Sequence, residues 1–243
     1  MKKIIVFFFS LFGLSIKRKI YLYDAKKNLN KTIKHFKIKS ILDIGGNTGQ
    51  FAENVLESGF NGKIISFEPL SKEHQIIKKK IEKRKNNNWF LEERCALGQK
   101  EKKQRIFISG NSESSSLLKI LKKHVEMRPL SKIVSSEIVK VKKLDSFYTD
   151  IKKKLNNKIL LKIDTQGNEL SILKGSKKIL KIINFALVEV SLVRLYKNQK
   201  LYMDIIKFFK LNNFDVWSID RVMGNHITGQ TYQLDIFFCK RKK

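Results

Sequence analysis

Proline and cysteine are scarce, with two of each in 243 residues. Cys95 and Cys239 stand apart in apolar contexts without Cys-x-x-Cys or Cys/His spacing, which argues against a disulfide scaffold and a zinc site. Acidic residues are few, 22 against 51 basic ones, leaving a formal net charge of +29. Such an excess ordinarily points to nucleic acid or an anionic surface. Here the lysines spread over most expected helices and loops, alongside abundant Asn, Ile and Phe, the profile of A/T-rich codon usage. A solvated lysine surface is therefore preferred to a nucleic-acid groove. Two nucleotide signatures are also missing: the Gly-x-Gly-x-x-Gly fingerprint and a phosphate loop ending in Gly-Lys-Ser/Thr. The apolar run at residues 4–16 falls short of a span of about twenty residues and lacks a small-x-small cleavage site, so neither a spanning helix nor a standard signal peptide is favoured.

What is present centres on residues 40–70. Residues 40–44 are a short apolar run stopped by glycine, which reads as a buried strand. Residues 50–57 then carry a helical apolar pattern at Phe51, Ala52, Val55 and Leu56, and a second strand ends at Glu68. Strand, glycine loop, helix and strand make a nucleotide-binding βαβ unit. Gly45, Gly46 and Gly49 let the backbone turn tightly and approach a ligand, while amides at the helix start offer donors to an anion. The spacing is Asp-x-Gly-x-x-x-Gly from Asp43 to Gly49, with Glu68 about twenty residues on, where an acid accepts hydrogen bonds from both ribose hydroxyls. This pattern resembles the cofactor site of class I S-adenosylmethionine-dependent methyltransferases.

The rest of the chain alternates helices and strands. A polar helix is expected at residues 21–36, a basic helix at 71–84, and strands at 89–97, 105–109 and 137–143. The polar cluster at 110–118 reads as a loop, which beside a cofactor site would close over a substrate. In the strand at 158–164, alternation puts Leu160, Lys162 and Asp164 on one side, and a lysine buried there must be paired or functional. Lys162 and Asp164 are each other's expected partners. A helix follows Gly167, strands follow at 185–190, 215–221 and 232–239, and a helix at 201–211 lies between them. At 42% hydrophobic the chain buries a full core as one α/β layer structure ending in an antiparallel edge.

Taken in order, residues 43–51, 67–70, 96–98, 111–118, 162–169 and 189–192 resemble the FkbM family of methyltransferases. The resemblance implies a Rossmann-like α/β fold. Its sheet is seven-stranded and mostly parallel, with an antiparallel C-terminal strand and helices on both faces. It also implies S-adenosylmethionine as cofactor and O-methylation of a sugar hydroxyl on a glycan or natural product. Asp43, Gly45, Asn47 and Gly49 carry over as cofactor-loop residues and Glu68 as the ribose acceptor. Gly46 stands where the family usually has Ala, and Thr165 where Val is common. Asp164 follows the fourth core strand, facing the transferred methyl, and is the first candidate base, with Lys162 beside it keeping it ionised. Glu169, Glu189, His124 and His226 are reserves, although Glu169 reads better as a helix N-terminal acid stabilised by the dipole. No metal ligand set is expected.

Residues 1–38 are expected to form a helical extension and residues 39–243 the methyltransferase domain. Residues 1–19, lysine-flanked and rich in Phe, are compatible with an interfacial anchor at the inner face of a membrane on an otherwise cytoplasmic protein, or with a helix that packs on the domain or a partner. Two other readings compete. A nucleic-acid methyltransferase suits the charge, but Asp164-Thr165-Gln166-Gly167 stands where base-amine methylating enzymes carry Asn/Asp-Pro-Pro-aromatic. A non-catalytic scaffold is opposed by intact Asp43, Gly45, Gly49, Glu68 and Asp164.

Overall fold

The computed structural model describes residues 11, 25–84, 88–225 and 227–241. It divides into two compact units, residues 1–35 and 36–243. The first holds α1 (Ala25–His35), with Lys34 and His35 in its last turn, where cations suit the helix dipole. Residues 1–10 and 12–24, which include most of the expected anchor and the start of the expected polar helix, lie outside the described residues. Among the described residues no helix is long and apolar enough to cross a membrane.

The second unit opens with β1 (Ser40–Ile44), α2 (Gln50–Glu57), β2 (Lys63–Phe67), α3 (Ser71–Arg84) and β3 (Trp89–Leu91). An inserted segment follows: β4 (Ala96–Leu97), β5 (Lys102–Ser109), α4 (Lys122–Met127) and β6 (Ile133–Lys142). The chain then returns through α5 (Tyr148–Lys154), β7 (Ile159–Ile163), α6 (Glu169–Lys174), α7 (Ile179–Ile182), β8 (Phe185–Ser191) and α8 (Tyr202–Leu211). It closes with β9 (Phe214–Gly224) and β10 (Thr231–Lys240). The main sheet has seven strands in the order β3-β2-β1-β7-β8-β10-β9, and β4-β6-β5 form a separate three-stranded sheet. Every pairing from β3 to β8 is parallel, whereas β10 runs antiparallel to both its neighbours.

Register explains which face carries the chemistry. Leu42, Leu161, Ala186 and Phe238 align across the sheet, as do Ile44, Ile163, Val188 and Ile236, and all eight belong to one apolar core with Ile172 and Leu173 of α6 and Ile205 and Phe209 of α8. The residues between them point the other way, so Ser66, Asp43 and Lys162 form a polar row on the opposite face. Both β1 and β7 are buried along their whole length, so each polar group in that row needs a partner.

Two expectations are corrected. The strand expected at 89–97 is two short strands in different sheets, because Glu92, Glu93 and Arg94 interrupt the apolar run and turn the chain into the insertion. The expected antiparallel edge is present as the closing hairpin, with β10 entering between β8 and β9 and β9 outermost. Finally, β5, β6 and β9 run longer than expected: β5 starts earlier through Lys102, Lys103 and Gln104, β6 starts at Ile133, and β9 gains Phe214 and the stretch Val222 to Gly224.

Candidate functional site

The loop after β1 is shaped by what surrounds it. Gly45 has φ 80°, and a Cβ there would lie 1.9 Å from the Asp164 carbonyl oxygen. Gly49 has φ 88°, and a Cβ there would lie 2.8 Å from the Trp89 ring. Only glycine fits at either position. Asn47 also adopts a left-handed conformation, φ 46°, and the Gly45 and Gly46 amides both donate to the Phe67 carbonyl at 3.0 Å.

Beneath the loop the polar row is fully engaged. Lys162 Nζ donates to the Gly45 carbonyl at 2.9 Å and ion-pairs with Asp43 at 3.1 Å. Ser66 Oγ donates to Asp43 at 3.0 Å and itself accepts from Trp89 Nε1 at 3.0 Å. Lys162 also lies 5.3 Å from the Phe51 ring centroid. Burial opposes its charge, but the carboxylates of Asp43 and Asp164 outweigh that and hold its pKa above the usual lysine value. The expected Lys162–Asp164 pairing is thus corrected: the ammonium is drawn to Asp43, directly beside it in the register, and Asp164 acts on it only through space. Asp43 has no exposed surface and serves the loop from below.

Glu68 directly follows β2 and is buried, with one oxygen accepting from Asn47 N at 2.7 Å and the other from Leu70 N at 2.8 Å. Burial raises its pKa to about 8 despite those two donors. The segment at 110–118 reaches the same loop. Asn47 Nδ2 donates to Ser112 Oγ at 3.0 Å, and Gln50 Nε2 to Glu113 at 3.3 Å. Farther along, Ser116 Oγ donates to the Gln166 carbonyl at 2.7 Å. The polar cluster therefore joins the glycine loop to the loop after β7.

Asp164 stands at the carboxyl end of β7, half-buried, its amide donating to the Ile44 carbonyl at 3.1 Å. Gln166, at φ 56°, forks its amide nitrogen between Asp164 Oδ1 at 2.8 Å and Glu189 Oε1 at 2.7 Å. Its amide oxygen accepts from Tyr196 Oη at 2.8 Å, while Gln233 Nε2 reaches Glu189 at 2.5 Å. Burial, with Asp164 and Asp235 nearby, pushes the Glu189 pKa well above the carboxylate range. Burial likewise raises Asp235 and Glu169 to about 7 each. Glu169 Oε1 accepts from the Thr165 and Gly167 amides and the Thr165 hydroxyl, closing the turn before α6. His124 is buried against Tyr196, ring centroids 5.2 Å apart, and burial lowers its pKa to about 4, which keeps it neutral. His226 lies outside the described residues. Gln166, Tyr196 and Gln233 were not singled out from sequence. The available signal for Gln233 is a polar side chain on an otherwise apolar strand, and for Gln166 its place between an acid and a glycine.

A largely parallel sheet with one reversed strand, a glycine loop after β1 and a buried acid closing β2 define a class I methyltransferase. The chain belongs to the FkbM methyltransferase family, whose domain matches residues 43–216. Among solved structures it is similar to a methyltransferase FkbM from Methylobacillus flagellatus KT, at 12% identity and TM-score 0.49 over 90% of this chain and 46% of that one. It thus spans less than half the length of that protein. An uncharacterized protein from Listeria monocytogenes serotype 4b aligns with TM-score 0.50 and 9% identity over 92% and 70% of the two chains. Magnesium protoporphyrin IX methyltransferase from Synechocystis PCC 6803 aligns with TM-score 0.48 and 10% identity over 99% and 97%. No curated protein matches.

The methyl donor is S-adenosylmethionine, and the residues present fit it. Gly45 and Gly49 leave both ends of the loop without a side chain, and each Glu68 oxygen, holding one backbone donor, retains a lone pair for a ribose hydroxyl. Among the described residues no group of three or more His, Cys, Asp or Glu is arranged to hold a metal.

Proposed function

We propose that this protein O-methylates a sugar hydroxyl on a glycan or related natural product, with Asp164 at the reacting centre. The observation that carries this reading is the direct backbone contact between the glycine loop and the Asp164 turn, where the Asp164 amide meets the Ile44 carbonyl and its own carbonyl faces Gly45. When bound, S-adenosylmethionine supplies a methyl group activated by its sulfonium. The protein's part is to hold the acceptor oxygen in line and to take its proton as the O–C bond forms. Asp164 suits the second task, because Gln166 fixes one carboxylate oxygen and leaves the other for the acceptor hydroxyl. Lys162 acts as a positioning residue, holding Asp43 and the Gly45 carbonyl and adding positive potential near Asp164. In the same reading, residues 1–19 hold the enzyme reversibly at the inner face of a membrane.

Asp164→Asn keeps the shape and removes the base. Methyl transfer to cell-surface polysaccharide, followed with isotope-labelled donor, should fall by about a hundredfold or more while donor binding survives. Near-normal transfer would make Asp164 a turn-capping residue and sink its role as base. Absence of labelled polysaccharide with the parent protein would sink the glycan acceptor.

A further inference from the structure

A cavity of about 250 Å³ opens between the small sheet and α6. Lys100 and Lys102 line it, both exposed, and no acidic residue does. Among the described residues neither ammonium has an ion-pair partner, and Glu101 between them accepts instead from the Ser146 hydroxyl at 2.6 Å. Lys102 and Gln104 share one face of β5, with Val141 of β6 opposite Lys102. The other polar groups in the wall are half-satisfied. Gln104 Nε2 donates to the Leu117 carbonyl at 3.1 Å and Asn168 Nδ2 to the Leu97 carbonyl at 2.8 Å, so both amide oxygens are left as acceptors. Ser171 Oγ accepts from the Gln99 amide at 3.1 Å, which leaves its hydrogen to donate.

Two cations, a hydroxyl donor and two amide acceptors ask for a ligand that carries both an anion and hydroxyl groups, while Leu118 and Val141 supply apolar wall for the C–H face of a ring. The volume is slightly under the roughly 300–1,000 Å³ of sites that enclose a drug-sized ligand, which leaves room for one ring rather than several. Asn168 follows Asp164 by four residues, a span of at most about 14 Å, and a Cβ on Gly167 between them would lie 3.2 Å from Leu118. We propose, resting on the reading that Asp164 serves a sugar acceptor, that this cavity seats an acidic sugar residue of the same glycan. Its carboxylate or phosphate lies between Lys100 and Lys102, and its hydroxyls donate to Gln104 and Asn168. A neutral sugar lacks the group that the lysines hold, and a simple inorganic anion lacks the ring and the hydroxyl donors that the other walls require.

NMR titration of the full chain, saturated with S-adenosylmethionine, tests the seat directly. At least one of glucuronate and glucose 6-phosphate should bind saturably in the millimolar range, whichever it is naming the anion, with glucose and sulfate weaker by about tenfold or more. The Lys100→Gln, Lys102→Gln double variant should lose that preference with donor affinity unchanged, and Asp164→Asn should keep it. The inference fails if neither acidic sugar binds better than glucose, if sulfate binds as well as they do, or if the preference survives the double variant. Labelled methyl transfer, compared on cell-surface polysaccharide before and after its carboxyl groups are reduced and its phosphates removed, tests the link to the reaction. Transfer should fall about tenfold or more. Unchanged transfer would detach the cavity from the acceptor and overturn the inference as well. Absence of transfer to either polysaccharide would instead sink the glycan acceptor, a result on which the binding titration does not depend.

Discussion

Glu68 meets opposing demands. Its burial favours the neutral acid, with a pKa of about 8, whereas ribose hydroxyls are better held by the ionised form. Donor binding below that pKa therefore has to expel a proton. Affinity for S-adenosylmethionine should rise as the pH is raised from 6 towards 8, by up to about tenfold per unit, and level off above. Calorimetry in buffers of different ionisation enthalpy should register close to one proton released near neutral pH. Affinity that is flat across this range, with no proton released, would mean that the free protein already holds Glu68 ionised. Asp43, one strand away, shows how residue type and role separate. The sequence motif assigns it to a cofactor loop; in the fold it lies buried beneath the glycine loop as the counter-ion of Lys162.

Elements impose on one another what no single stretch contains. Gly49 is required by Trp89, which lies two strands away from β1 in the sheet and reaches back under the loop. Gly49→Ala meets both a left-handed φ and a ring at 2.8 Å, whereas Gly59→Ala has a similar φ of 91° with nothing within 4 Å. Both should lose about 1–2 kcal/mol to backbone strain, and Gly49→Ala a further 1–3 kcal/mol, roughly, to overpacking. Urea unfolding of the two variants separates these costs; equal losses would show that Trp89 yields without cost. The glycines, the acid at the end of β2 and the alternation in β7 were legible because they are local patterns of turn and pleat. The Lys162–Asp43 pair was not, since it depends on β1 and β7 lying in register across more than a hundred intervening residues. The placement of β10 was likewise hidden, because two adjacent apolar strands fit either order at a sheet edge. The Gln166 fork was hidden for a third reason: it joins three elements through polar atoms that periodicity does not weigh.

The whole molecule carries a formal charge of +29, yet its interior gathers acids that resist ionising. Burial raises Glu68 to about 8 and Glu169 and Asp235 to about 7, all far above the values they take in an unfolded chain. In the window between their unfolded and folded pKa values, the native state binds more protons than the unfolded one. Stability from these groups is therefore complete at low pH and is lost as the pH rises through about 7 and 8. His124 pulls the other way. Its folded pKa of about 4 lies below the unfolded value, so it favours unfolding as the pH drops from 6.5 towards 4. With Glu189 also raised, one histidine offsets only part of four acids, and above pH 6.5 it offsets nothing. Each proton held only by the native state contributes a slope of about 1.4 kcal/mol per pH unit. The free energy of unfolding, from urea titrations at constant ionic strength, should accordingly decline by a few kcal/mol, roughly, from pH 6.5 to 8, with Glu189, also raised by burial, carrying the decline onward. Saturating S-adenosylmethionine, which favours ionised Glu68, should soften that decline. Unfolding free energy that instead climbs through this window would require the buried acids to be ionised in the native protein, matched by the lysine-rich field around them.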